Sequence, residues 1–187
     1  MTSSSLFQWN RKYIVSTIKS GMVVIHQHRA HQRVLYEEVL KNITMDNAVS
    51  QQLLFPLQFE FTPYDIQLLN NVKEQLENTG FVFDTMEKEE VVVSGIPTLV
   101  TNSEVPVLFE QLLDDLRNDI PDQGFSLTDL LAKSIAKSVA VRTGVSLEPE
   151  QQQHLVHSLF ACTEPSLDPN QLQTFITISL EDLDKKF

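Results

Sequence analysis

Hydrophobic and polar positions change period several times along this chain, and each change marks an element. Leu6–Trp9 and Tyr13–Ile18 are apolar runs on either side of polar Asn10-Arg11-Lys12 and predict one interrupted strand, with a short second strand at Met22–Ile25 after Gly21. From about Ala30 the spacing shifts. Leu35, Val39 and Ile43 recur every four residues, with Tyr36 and Leu40 beside them, which predicts a helix to about Lys41. Leu57, Phe59 and Phe61 then alternate with Gln58 and Glu60 as a half-buried strand. Thr62-Pro63 supplies an N-cap and a first-turn proline, and Gly80 a stop, so one helix is expected between them. Phe81–Phe83 and Val91–Val93 predict a strand pair across Glu87-Lys88-Glu89-Glu90, an acidic run that reads as a solvated turn. A helix follows from about Glu104 to Asn118. Ser126-Leu127-Thr128-Asp129 has the spacing of a capping box and starts a helix reaching about Val141; another covers Glu148–Phe160. Gln173–Ser179 alternates as a strand, and Leu180–Phe187 reads as a short final helix.

This order predicts an α/β (α+β) fold of two subdomains. Residues 51–120 spell strand–helix–strand–strand–helix, a compact insert, while the pieces before and after it are each too small to fold alone. Residues 1–50 and 121–187 are therefore expected to form one discontinuous subdomain around the insert. Charge follows the same division: residues 1–50 carry six Lys/Arg against three Asp/Glu, residues 51–120 three against thirteen, and residues 121–187 five against nine. A middle third this acidic repels a phosphate backbone, so weak or no DNA binding is expected of this chain alone. At 187 residues the chain buries a real core. No apolar run approaches the roughly 18 residues of a membrane span, and Met1-Thr2-Ser3-Ser4-Ser5 lacks both regions of a secretory leader. The single cysteine, Cys162, excludes an internal disulfide and fits a reducing cytoplasm.

Candidate chemistry concentrates in "HQHRAHQRVLYE", residues 26–37, which holds three histidines and a glutamate. His28 and Gln32 are four apart and share a helical face. The competing readings are an accidental transition-metal site of His26, His28 and His31 that includes Asp168, or hydrogen-bonded and solvated histidines, which is the commoner fate of such clusters. His154 and His157 lie one turn apart on a polar helix face, and exposure accounts for both.

The strand ending "GMVVIHQHRAHQRVLYEEVL", then "QQLLFP", then the strand–helix–strand–strand–helix insert resembles, in order and over nearly the whole chain, the C-terminal dimerisation domain of the mismatch-repair MutL family. In nuclease-active members of that family the strand enters the helix through Asp-Gln-His-Ala, two variable residues, Glu, four variable residues, Glu. On this chain the Asp falls at His26, the Gln at Gln27, the His at His28, the Ala at Arg29, the first Glu at Gln32 and the last at Glu37. The family's Cys-Pro-His-Gly-Arg-Pro segment corresponds to Asp168-Pro169-Asn170-Gln171-Leu172-Gln173, where only the proline stands, and its Ala-Cys motif falls at Ala136-Lys137, with Val141 and Arg142 matching beyond it. A metal-dependent phosphodiesterase needs anionic ligands to hold a hard cation and activate water. With two carboxylates lost and the distant Cys and His replaced, His26, His28, Gln32, Glu37, Asp168 and Asn170 are expected to be the vestige of a metal site, without catalytic residues or a bound metal.

The resemblance also implies partners. "QQLLFP" is similar to the peptide by which MutL proteins dock on the bacterial sliding clamp, with Gln51, Leu53, Leu54 and Pro56 as the contacts; the competing role for the leucines is the core of the insert. The expectation is a cytoplasmic homodimerisation module without nuclease activity, joining ATPase arms and working with the mismatch-recognition protein MutS through the full-length protein. ATP and magnesium belong to an N-terminal region of that protein. The alternatives are a metal-dependent DNA-nicking endonuclease with a rearranged ligand set, and a clamp adaptor whose dimerisation is incidental.

Overall fold

The computed structural model describes residues 5–45, 48–118 and 127–187. By contact the chain groups into two compact units, Met1–Glu37 with Ala140–Phe187, and Glu38–Val139. These cuts differ from those at residues 50 and 120 suggested by the charge steps. The helix expected from Ala30 is longer than its apolar repeat and carries the chain from one unit into the other, and the helix ending at Val139 groups with the insert.

In the first unit β1 (Leu6–Trp9), β2 (Tyr13–Ile18), β3 (Gly21–His26) and β7 (Phe175–Ser179) form one antiparallel sheet in the order β1-β2-β3-β7. The interrupted strand of the sequence is a hairpin instead. Asn10 and Arg11 both take left-handed backbone, φ 52° and 48°, and the Lys12 N–H donates to the Trp9 carbonyl at 3.2 Å, which closes the turn. Gly21 sits at φ 154° where a Cβ would lie 2.1 Å from the Ile178 carbonyl oxygen, so no other residue fits between β3 and β7. One face of the sheet carries Ile14, Val23 and Ile25, all buried, which pack with Ala30 and Val34 of α1 (Gln27–Met45) and with Leu155, Val156 and Leu159 of α6 (Pro149–Ala161). A fully buried aliphatic side chain contributes about 1.5–3 kcal/mol, so this layer holds the unit together. The short α7 (Leu180–Asp184) is capped by the Ser179 hydroxyl.

The second unit has a three-stranded sheet, β4 (Ser50–Glu60), β6 (Glu90–Pro97) and β5 (Val82–Glu87) in that order, with helices α2 (Pro63–Asn71), α3 (Lys73–Thr79), α4 (Val105–Asn118) and α5 (Leu127–Val139). Thr62 caps α2 as its sequence predicts. The one expected helix is two, because Val72 leaves helical geometry; Gly80, at φ 110°, ends the second. The proposed capping serine of α5, Ser126, lies outside the described residues, and α5 ends at Val139, short of Val141. Phe109, fully buried, is the hub of the core, with Phe59, Phe61, Phe81 and Phe83 at ring-centroid distances of 5.3, 6.2, 5.6 and 6.5 Å. No described helix is long and apolar enough to cross a membrane.

Candidate functional site

The junction of β3 and α1 is where strand becomes helix without a loop. Two backbone bonds fix it: the His26 N–H donates to the Thr174 carbonyl at 2.8 Å and the Gln27 N–H to the Lys12 carbonyl at 3.0 Å. Gln27 is fully buried. Its amide nitrogen donates to the carbonyls of Arg142 and Val145, both at 3.2 Å, and its amide oxygen accepts from Gln8 at 2.6 Å. Two histidines then grip one residue of the same loop. His28 Nδ1–H donates to the Val141 carbonyl and the Val141 N–H donates to His31 Nδ1, each at 2.9 Å. His31 therefore needs its neutral form; burial lowers its pKa first, and His28 and His154 add to the shift.

On the other side of α1, residues 163–174 are held the same way. Arg29 donates to the Gln173 carbonyl at 3.1 Å. Arg33 is buried, donates through Nε to the Leu167 carbonyl at 2.5 Å and through Nη2 to the Asp168 carbonyl at 3.2 Å, lies over the Tyr36 ring, and pairs with Glu37 at 3.6 Å and Glu164 at 3.5 Å. The Glu37 carboxylate accepts the N–H groups of Thr163 at 2.8 Å and Glu164 at 3.2 Å. Asp168 is buried, its carboxylate accepting from the N–H groups of Asn170 at 2.8 Å and Leu172 at 2.9 Å, while Asn170 itself is exposed. Gln32 is buried. His26 stands edge-on to Tyr13 with centroids 5.5 Å apart, and burial, then Arg29, Lys12 and His28, lowers its pKa.

The fold thus brings the two halves of the degenerate motif, residues 26–37 and 168–173, to one place. It gives their polar atoms other work. The Nδ1 atoms of His28 and His31 and the carboxylates of Glu37 and Asp168 are bonded to main chain. Among the described residues no three His, Cys, Asp or Glu come together to hold a metal ion, and the trio of His26, His28 and His31 with Asp168 is not such a group. A hard divalent cation takes anionic oxygen, and the anionic oxygens here, on Glu37 and Asp168, are bonded to main-chain N–H groups. Ala136 and Lys137 lie on α5 in the second unit. His154 and His157 are exposed on α6. Cys162 is inert: its Sγ donates to the Ser158 carbonyl at 3.3 Å, and burial, with Glu37 nearby, pushes the thiol up to about 11.

"QQLLFP" lies inside β4 rather than before it. Gln52 pairs with Gly95 and Leu57 with Val93, so five residue steps along β4 span only two along β6 and the intervening residues bulge out. Leu53 turns inward at 7% exposure, whereas Leu54 and Phe55 stand out at 87% and 78%; Gln51 and Pro56 are exposed as well. Phe55 has no place in the sequence-derived set, and only the bulge shows it to be exposed.

The first sheet has a second face. The registers align Trp9, Tyr13 and His26 in one row, Phe7, Val15, Val24 and Ile176 in the next, and Thr17, Met22 and Ile178 beyond. None of these residues belongs to the cluster under α1 and α6. Trp9 is 61% exposed and Phe7 and Ile176 are each 48% exposed.

Comparison with known proteins agrees on one family. The MutL C terminal dimerisation domain matches residues 6–147. The DNA mismatch repair protein MutL of Christiangramia forsetii is 59% identical over 186 residues, which is 100% of this chain and 30% of that protein. That of Flavobacterium johnsoniae is 51% identical over 185 residues, 99% of this chain and 29% of its own length. The MutL of Parabacteroides distasonis is 32% identical over 185 residues, 99% of this chain and 30% of that protein. The chain thus spans about 30% of the length of the curated relatives it matches.

Proposed function

The chain belongs to the MutL C-terminal dimerisation domain family, and on that premise we propose that it joins two copies of a mismatch-repair protein through the open face of its first sheet. The observation that carries this is the apolar face formed by Phe7, Trp9, Val15, Val24, Ile176 and Ile178 across four strands, on which Phe7, Trp9 and Ile176 stand exposed among the described residues although Val15 itself is buried. Isolated patches of this kind are rare on monomers, and a two-fold axis through the sheet lets each copy cover the other. Sedimentation at micromolar concentration is expected to show a particle of twice the chain mass, and a strict monomer there would overturn the proposal.

The dimer's role is to tether two ATPase arms inside the cytoplasm. ATP and magnesium act on those arms, and the mismatch-recognition protein MutS engages the full-length protein. The bulge on β4 docks on the sliding clamp through Gln51, Leu54, Phe55 and Pro56, with Leu53 anchoring the bulge from within. Such peptide contacts bury little area and are weak.

The module has no nuclease activity. What supports this is the engagement of His28, His31, Glu37 and Asp168 with main-chain groups together with the neutral Gln32. Supercoiled plasmid incubated with the protein, manganese and its cognate clamp is expected to stay uncut. A His26→Asp/Gln32→Glu variant is expected to remain inactive too, because Asp168 and Asn170 still occupy the distant ligand positions. Nicking that vanishes in His28→Ala would establish the nicking endonuclease instead.

A further inference from the structure

The sheet of the first unit ends in two unlike edges. β1, at one end, is tied to residues 145–147 through Gln8, whose side-chain amide donates to the Val145 carbonyl at 2.9 Å and accepts from the Leu147 N–H at 3.2 Å. β7, at the other end, has β3 as its one sheet neighbour. The His26 N–H donates to the Thr174 carbonyl, which sets the alternation of the ladder. Ile176 and Ile178 turn their main-chain groups to β3, and Phe175 and Thr177 turn theirs outward. Among the described residues nothing bonds to those outward N–H and C=O groups. Ser179, next along the edge, has its N–H taken by the Asp182 carboxylate at 3.2 Å.

A bare edge is a template for another chain, and proteins commonly blunt it with lysine, proline or a bulge. β7, Phe175-Ile176-Thr177-Ile178-Ser179, has no lysine and no proline, and its register with β3 is unbroken. Beside it runs a groove of about 410 Å³ lined by Ser166, Leu167, Gln173, Phe175, Ile176 and Thr177. Large apolar side chains border the same edge. Phe160 packs on Phe175 with ring centroids 5.2 Å apart, Phe160 and Ile176 are each 48% exposed, and Leu180, directly after β7, is 56% exposed.

We propose that the open edge of β7 accepts an extended segment of a partner protein as a fifth strand, a segment of alternating apolar residues flanked by Lys or Arg. Free main-chain groups on alternate residues match an extended backbone, whereas a helix keeps its own N–H and C=O groups occupied. The groove takes one apolar side chain of that strand beside Phe175, and its neighbour falls beside Ile176 on the other face. Charge selects the flanks. Glu164, Glu181, Asp182 and Asp184 are exposed on the segments before and after β7. Beyond Arg142 the chain carries seven Asp/Glu against two cations, Lys185 and Lys186. That field repels a nucleic-acid backbone and attracts a basic peptide. It also disfavours β7 of a second copy, which would bring the same acidic segments together. The face assigned to dimerisation stays separate, because Phe175 packs on the cluster under α6 and Thr177 shares its side of the strand.

The test is fluorescence anisotropy of a labelled synthetic peptide, Lys-Thr-Phe-Thr-Val-Thr-Lys, titrated with the protein. Saturable binding is expected, at least tenfold tighter at low salt than for the same peptide with Glu in place of Lys. Methylating the three central main-chain nitrogens removes donors from both edges of the peptide and should abolish binding. Thr177→Pro deletes an outward N–H and spares the β3 ladder, so it should keep the melting temperature near wild type and weaken binding at least tenfold. Ser166→Phe fills the groove from an exposed position and should weaken binding likewise, which keeps the test decisive if Thr177→Pro does not fold. The proposal is overturned if the peptide fails to bind, if the methylated peptide binds equally, or if Ser166→Phe and a folded Thr177→Pro bind as wild type. A particle larger than a dimer that Thr177→Pro breaks down, without peptide binding, would assign the edge to a second copy and overturn it too.

Discussion

At the scale of single residues the motif "HQHRAHQRVLYE" was legible as a framework but not in its duties. Its Gln27 and His28 stand where the family's pattern puts them, yet these two and Arg33 are each bonded to main chain more than 110 residues away, in the loop at 141–145 or the segment at 163–168. No spacing rule within α1 reveals a partner at that separation. The clearest consequence is pH dependence. His31 accepts a hydrogen bond from the Val141 N–H through Nδ1, so protonation breaks that bond in a buried place. Its folded pKa lies below the ordinary value of about 6.5. Above that value His31 is neutral in both states and contributes no pH dependence. As pH falls below it, the unfolded chain takes up the proton first, and stability drops until the folded pKa is passed. His26 shifts in the same direction and adds to the slope. In His31→Asn the amide oxygen replaces Nδ1 as acceptor and does not titrate. Urea unfolding at neutral and mildly acidic pH is expected to show a smaller acid loss for that variant than for wild type. An identical loss would mean that His31 is not the group responsible.

At the scale of elements, apolar spacing located strands and helices well and failed where one residue's backbone decided the outcome. The hairpin at Asn10-Arg11 reads as a break in the sequence because neither residue is glycine, though asparagine tolerates left-handed backbone. The helix after Thr62 reads as one because a β-branched Val72 carries no stop signal. From sequence β4 starts at Leu57, because Pro56 has no N–H to give the ladder and the bulge hides the pairing that resumes at Gln52. That bulge separates two neighbouring leucines by function. Leu53→Ala removes a buried side chain and should cost about 2–4 kcal/mol in chemical denaturation. Leu54→Ala or Phe55→Ala, each removing an exposed one, should stay within about 0.5 kcal/mol of wild type and still abolish binding to the clamp. A Leu54→Ala protein that unfolds readily, or that binds the clamp normally, would count against docking through the bulge.

At the scale of the whole molecule, the alternation of strands and helices gives the mixed fold. It could not say which face was left open, because both faces of β2 and β3 are apolar: Ile14, Val23 and Ile25 on one, Val15, Met22 and Val24 on the other. Only the registers, with α1 and α6 on the first face, distinguish them. Ile176 tests the second. It is 48% exposed in the protomer, so Ile176→Asp should change the stability of an isolated chain by no more than about 0.5 kcal/mol. Against the same face of a second copy the aspartate would be desolvated without a partner, a penalty of several kcal/mol that a two-fold axis imposes twice. At 1.4 kcal/mol per factor of ten, the dimer should weaken by more than about a hundredfold. The variant is therefore expected to sediment at the mass of one chain at concentrations where wild type is dimeric. Its melting temperature should also lose the concentration dependence that a dimer confers. A folded Ile176→Asp protein that remains dimeric would place the interface on another surface.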